Sequence, residues 1–160
     1  MQQEHAEWQQ AYAHVYHNSD QDDFVSFEGE AENGQLIVGI IDSTLLAWPH
    51  KPSHPWMLTL HIAYDGNGLN GMPSKQVYQH MEAFEDAVMA ELPEHEGYLN
   101  LGRETGDGVR LVYIACKQFV QATRVLERLM PRFAQDISIE YDLFQDKYWQ
   151  SLQRFEHMGT

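Results

Sequence analysis

The chain of 160 residues is long enough for one domain with its own core and short for two. Its 43% apolar and 21% charged residues match an ordinary globular mix and not a disordered chain. Twenty-four acids against ten Lys and Arg give a formal net charge of −14. That field repels phosphate backbones and anionic lipid surfaces, so neither nucleic acid nor membrane is an expected partner.

The acids are unevenly placed. Residues 1–50 hold nine of them and no Lys or Arg, the first base being Lys51; the rest of the chain holds 15 acids and 10 bases. Such a surface suits a basic protein, whose approach it would steer. No apolar run reaches the roughly 18 residues of a membrane span. Met1-Gln2-Gln3-Glu4-His5 lacks the basic and apolar regions of a secretory leader. Cys116 is the single cysteine, so no internal disulfide can form, and the expected setting is the reducing cytoplasm.

In chain order, Trp8, Tyr12, Val15 and Tyr16 fall at helical spacing, although Trp8, Tyr12 and Tyr16 also fit one face of a strand. The helix is the favoured reading. Residues 1–34 as a whole read as an acidic, weakly ordered or irregular N-terminal part, in which Phe24–Phe27 could pair briefly as a strand. An α/β core over 35–155 then completes a single domain. Leu36–Ile41 is a short β-branched strand expected to be covered on both faces. After a proline-punctuated connection, Trp56 to Tyr64 alternates, with Trp56, Leu58, Leu60 and Ile62 on one face and Met57, Thr59, His61 and Ala63 on the other.

Ser74 caps a helix running to about Leu92, with a buried stripe of Val77, Met81, Phe84, Val88 and Leu92. Tyr98–Thr105 and Val109–Ala115 form a hairpin around Gly106-Asp107-Gly108. A second helix over about Lys117–Met130 stops near Pro131. Ile137, Ile139, Tyr141 and Leu143 alternate along a last strand, and Asp146 caps a short helix bearing Trp149, Leu152 and Phe155.

The fold class is therefore α+β: a ferredoxin-like βαββαβ core over about residues 56–144, an antiparallel sheet with two helices on one face. An extra N-terminal strand or helix and a short C-terminal helix flank it. Val109–Ala115 is apolar on both sides, which requires one of those flanks to cover the second face.

The chain also resembles a known family. His54-Pro55-Trp56 precedes an alternating strand, and Gly71-Met72-Pro73 precedes a helix carrying Glu85-Asp86-Ala87-Val88. Gly102-Arg103-Glu104-Thr105, Gly108-Val109-Arg110 and Asp146-Lys147-Tyr148-Trp149 follow in order. This set, spread over about residues 48–155, is similar to the bacterial family catalogued as domain of unknown function 695. That family is similar in fold to the RraB-type regulators of ribonuclease E, acidic proteins that bind an enzyme and inhibit it. The resemblance implies the fold and brings no catalytic residues with it.

Candidate chemistry is sparse. Nine histidines invite a metal, but His50 and His54 lie in a proline-rich loop, and His14 and His17 lack convergent partners. The Asp65–Gly71 loop has Asn70 and Gln76 where a calcium loop needs Gly and Glu. No metal and no cofactor are expected. His61, beside Thr59 and within reach of Tyr113 or Arg103, could act as an acid or base if the face away from the helices forms a pocket. Cys116 reads as an inert core thiol. No nucleophile elbow, phosphate loop, dinucleotide fingerprint or HExxH pattern occurs.

The leading expectation is a non-enzymatic regulator or inhibitor, docking on a basic protein through Asp20, Asp22, Asp23, Glu28, Glu30 and Glu32. Arg124, Arg128 and Arg132 form an i, i+4, i+8 stripe that could dock an acidic surface, including a second copy in a homodimer. Two alternatives stand beside it: an immunity protein against a secreted toxin, and a small enzyme or small-molecule binder using the sheet face around His61.

Overall fold

A computed structural model of the protein describes residues 12–135 and 137–156. The strands are β1 (Phe24–Glu30), β2 (Leu36–Asp42), β3 (Trp56–Ala63), β4 (Tyr98–Gly106), β5 (Val109–Cys116) and β6 (Ser138–Gln145). They form one antiparallel sheet of six strands in the order β1-β2-β4-β5-β3-β6. The helices are α1 (Ser43–Leu46), α2 (Lys75–Glu91) and α3 (Val120–Leu129).

The alternation read in the sequence sorts side chains to two faces. Leu58, Leu60 and Ile62 of β3, with Val112, Ile114 and Cys116 of β5, meet Met81, Phe84 and Val88 of α2 and Val125, Leu126 and Leu129 of α3. β6 adds Ile139, Tyr141 and Leu143 at the margin. On the opposite face Met57, Leu99, Leu101, Tyr113 and Ala115 are covered by Leu45 and Leu46 of α1 and by Trp149, Leu152 and Phe155. These last three belong to a closing 3-10 helix, Gln150–Phe155, and the residue before it. Asp146 starts that turn, its carboxylate accepting from the backbone N–H of Gln150 at 2.8 Å and of Ser151 at 3.0 Å. The C-terminal flank thus supplies the cover that the doubly apolar β5 demanded.

Local signals set the connections. The Ser74 hydroxyl accepts from Val77 N–H at 3.2 Å and begins α2. Asp107 (φ 54°) and Gly108 (φ 77°) take the left-handed conformations that a tight hairpin turn requires between β4 and β5.

Two expectations need correction. Residues 24–30 are a seven-residue strand hydrogen-bonded along β2 from Phe24↔Asp42 to Glu30↔Leu36, not an irregular stretch. Its acids, which argued for a loop, are tolerated because β1 is an edge strand and Glu28 and Glu30 face solvent. Secondly, among the described residues β2 is packed into a core on one face only. Neither β1 nor β2 contributes to the core under α2 and α3, so Val38 and Ile40 are half-buried rather than enclosed. Of the N-terminal helix reading, Trp8 lies outside the described residues, while the described Val15 and Tyr16 lie in an irregular segment after a turn and not in a helix.

Candidate functional site

Cross-strand rows locate a groove. On the helix side of the sheet one row runs Ile139–Ile62–Arg110–Thr105–Val38–Glu28, and the next runs Tyr141–Leu60–Val112–Arg103–Ile40–Ser26. Each row begins in the core and ends at a solvent-facing edge. The core closes at Arg110 and Arg103, where the helix layer stops. Beyond them Val38 and Ile40 floor an open cavity of about 580 Å³, walled by Tyr78 of α2 and by Met72 and Pro73 before it. A second cavity of about 330 Å³ shares Ile40 and Arg103 and runs on past Phe24 to Ser19 and Glu94. The two make a groove between β1–β2 and α2. Its far end is closed by Ser19 N–H donating to Glu94 at 2.9 Å.

The border arginines are neutralised from within. Arg110, only 2% exposed, donates to Glu82 at 3.0 Å and through Nε to Thr105 at 2.9 Å, with its guanidinium 5.1 Å from the Tyr78 ring centre. Arg103 reaches the same Glu82 at 2.9 Å and Glu85 at 3.3 Å. Burial pushes the Glu82 carboxyl up, but the two guanidiniums outweigh it and hold it below the usual carboxylate range. Glu28, Glu30 and Glu94 add negative charge at the rim, so the groove has an apolar floor and a net acidic border. None of the residues that line the two cavities forms a nucleophile–base pair.

Two local features hold this frame. Gly102 (φ +140°) forms the bulge before Arg103, and a Cβ there would lie 2.3 Å from the carbonyl oxygen of Ile40. At Gly39 a Cβ would overlap the Phe27 ring, which crosses β2 towards Phe155 on the opposite face.

A second constellation sits where the N-terminal segment meets β2. His17 Nε2 lies 2.8 Å from Asp22 Oδ2, with side chains 15% and 4% exposed. Asp42 is fully buried and its Oδ1 accepts from Leu45 N–H at 3.1 Å, capping α1. Burial, followed by the neighbouring Asp22 carboxyl, raises its pKa to about 7. Nearby, the ring of buried His54 faces Trp48 with centroids 5.5 Å apart. Ser53 Oγ donates to His50 O at 2.6 Å, so it accepts from His54 Nδ1–H at 2.8 Å, and His54 Nε2 is left without a partner. Burial first, then the Lys117 charge, lowers the His54 pKa to about 3. Among the described residues no three His, Cys, Asp or Glu side chains are arranged to hold a metal ion.

The sequence candidates fall in separate places. Glu28 lines the groove, while Glu30, Glu32, Asp20 and Asp23 lie exposed near or beyond its edge. Asp22 faces inward to His17 and presents little charge to solvent. Arg124, Arg128 and Arg132 are exposed on α3 and the turn after it, Arg128 ion-paired to Glu91 of α2. His61 pairs with Asp142 on β6 at 3.1 Å with both side chains well exposed. Its partners in the expected pocket are buried: Thr59 is 8% and Tyr113 5% exposed. The Tyr113 hydroxyl donates to Glu104 and packs beneath Phe155, and burial with that bond raises its pKa. The sequence reading missed Val38, Ile40, Tyr78, Glu82 and Arg110 as one site. The available signal was Arg110, a charge in an otherwise apolar strand.

The molecule is thus an α+β protein with a six-stranded antiparallel sheet, two helices on one face and an acid-rimmed groove beside them. A family model described as a family of unknown function (DUF695) matches residues 30–155, and the chain belongs to that family. The match begins at the end of β1 and takes in both walls of the groove except β1 itself. No curated protein and no solved structure matches the chain.

Proposed function

We propose that the protein is a non-enzymatic binding domain, a regulator or inhibitor that docks on a basic protein through the acidic border of the β1–β2 groove. The observation that carries this reading is the groove itself: half-buried Val38 and Ile40 with Glu28 beside them on the exposed edge strand. Arg103 and Arg110 balance Glu82 and Glu85, so the remaining field comes from Glu28, Glu30 and Glu94 and favours Lys or Arg on the partner. The ferredoxin-like assignment of the core is supported by the order β4-β5-β3-β6. In that order each helix-bearing connection, β3-α2-β4 and β5-α3-β6, passes over one intervening strand.

The test is affinity capture from the native lysate with the tagged protein and with a Glu28→Lys/Glu30→Lys/Glu32→Lys variant, each followed by mass spectrometry. Basic proteins retained by the parent and lost by the variant are the expected result. An identical set of captured proteins would remove acidic docking as the function.

A further inference from the structure

The helix layer has a vacancy of defined width. Among the described residues the core under α2 and α3 draws on β3 and β5, on Tyr98 of β4 and on the margin residues of β6, and no helix lies over β2 and β1 on that side. Two strands about 4.8 Å apart present a floor about 10 Å wide, which is the diameter of one α-helix. β1 and β2 are seven residues each, so the floor is about 23 Å long, the length of a helix of about 15 residues. Along it Val38 and Ile40, beside the small Ser26, offer a narrow apolar strip flanked on β1 by Glu28 and Glu30, while on the α2 side Glu82 and Glu85 balance Arg103 and Arg110.

We propose that this vacancy is the seat of an amphipathic helix from a partner protein, one with an aliphatic stripe bordered by Lys or Arg, laid beside α2 as a third helix of the layer. The inference rests on the binding function proposed above and specifies the form of the bound segment. Charge complementarity selects the source. Residues 1–50 of this chain contain no Lys or Arg, so its own N-terminal segment cannot supply the basic flanks. The α3 of a second copy carries Arg124 and Arg128, but its Val125, Leu126 and Leu129 are already buried in its own core. An apolar stripe with basic flanks must therefore come from another protein. Helix-in-groove recognition of this kind reads anchors at i, i+3, i+4 and i+7.

The experiment pans two displayed peptide libraries on the intact protein, one of helical segments randomised on one face and one of extended strands. Clones are then assayed on two variants. Ser26→Trp fills the floor from an exposed position without changing charge, and Glu28→Lys/Glu30→Lys reverses the rim; circular dichroism and urea titration establish that both fold. The expected result is enrichment of helical clones with an aliphatic stripe and Lys or Arg flanks, whose binding falls at least tenfold on each variant. Basic clones that ignore Ser26→Trp yet lose binding on the charge reversal would overturn the helix seat and leave acidic docking standing. Dominance of extended clones would overturn it in favour of strand addition at β1. Clones indifferent to both variants, or no enrichment at all, would remove both readings.

Discussion

Glu82 holds both Arg110, which is almost fully buried, and Arg103, at 3.0 and 2.9 Å, so one carboxylate secures the two cations on which the core ends and the groove begins. Removing it leaves a buried guanidinium whose remaining side-chain hydrogen bond is to Thr105. Glu82→Ala should therefore cost about 3 kcal/mol, the range for breaking a buried pair from one side. Glu85→Ala should cost clearly less, because Arg103 keeps Glu82. Urea titration of the two variants checks the order; equal losses would mean that the pairs contribute independently of burial.

The Asp42 carboxyl gives a stability change of defined sign. Its folded pKa is raised from 3.8 to about 7, so between those values the folded chain binds more protons than the unfolded one. Stability then falls as pH rises from about 4 to about 7 and levels off above, with a slope of at most about 1.4 kcal/mol per pH unit for one proton. Asp22 is the neighbouring carboxylate, with His17 across from it at 2.8 Å. Asp42→Asn keeps the cap on Leu45 N–H and removes the ionisable carboxyl beside Asp22. The variant should lose this component of the slope and gain stability above pH 7. A pH series of urea midpoints, parent minus variant, reads it directly.

His54 works in the opposite direction. Its folded pKa is lowered from 6.5 to about 3, so the unfolded chain takes up the extra proton and stability is lost as pH falls from about 6.5 towards 3. His54→Met removes the titrating ring and should flatten this acid limb in the same pH series. If the limb persists unchanged in the variant, other groups cause it.

Cover of the second face depends on a few residues after β6. Trp149 is 1% exposed, packs near Trp48 with centroids 5.9 Å apart, and donates Nε1–H to His54 O at 2.8 Å. Trp149→Ala should destabilise by about 3–5 kcal/mol. Truncation after Gln145 should uncover Met57, Tyr113 and Ala115 and produce binding of a hydrophobic dye that the intact protein lacks.

The Gly102 bulge aims Arg103 into the groove. Gly102→Ala places a Cβ against the Ile40 carbonyl in a backbone conformation that side chains rarely adopt, at a cost of about 2 kcal/mol from strain alone. Its thermal midpoint should fall. Arg103 should also shift relative to Ile40, visible as a change in the Ile40 methyl resonances.

Much of the fold was legible because its signals are local and periodic. Leu58, Leu60 and Ile62 alternate at the strand period, and Met81, Phe84 and Val88 recur at the helical one; Ser74, Asp107 and Asp146 act through bonds or turns a few residues away. Acidity misled at β1, where Glu28 and Glu30 read as loop. Their pairing depends on a free edge of β2, which no residue in 24–30 can signal. The groove was invisible for a related reason. Val38 and Ile40 look like core residues by type, and whether they are covered depends on how far across the sheet two helices reach.

Residue type at a fixed spacing sufficed for α2, α3, the strands from β2 to β6, the apolar stripes and the negative charge, but not for the short α1. That β1 and β2 extend beyond the helix layer, that Arg103 and Arg110 share Glu82 at its border, and that Asp42 lies beside Asp22 emerges once the chain is folded. These depend on which distant segments share a neighbour, a matter of sheet order and register and not of local composition.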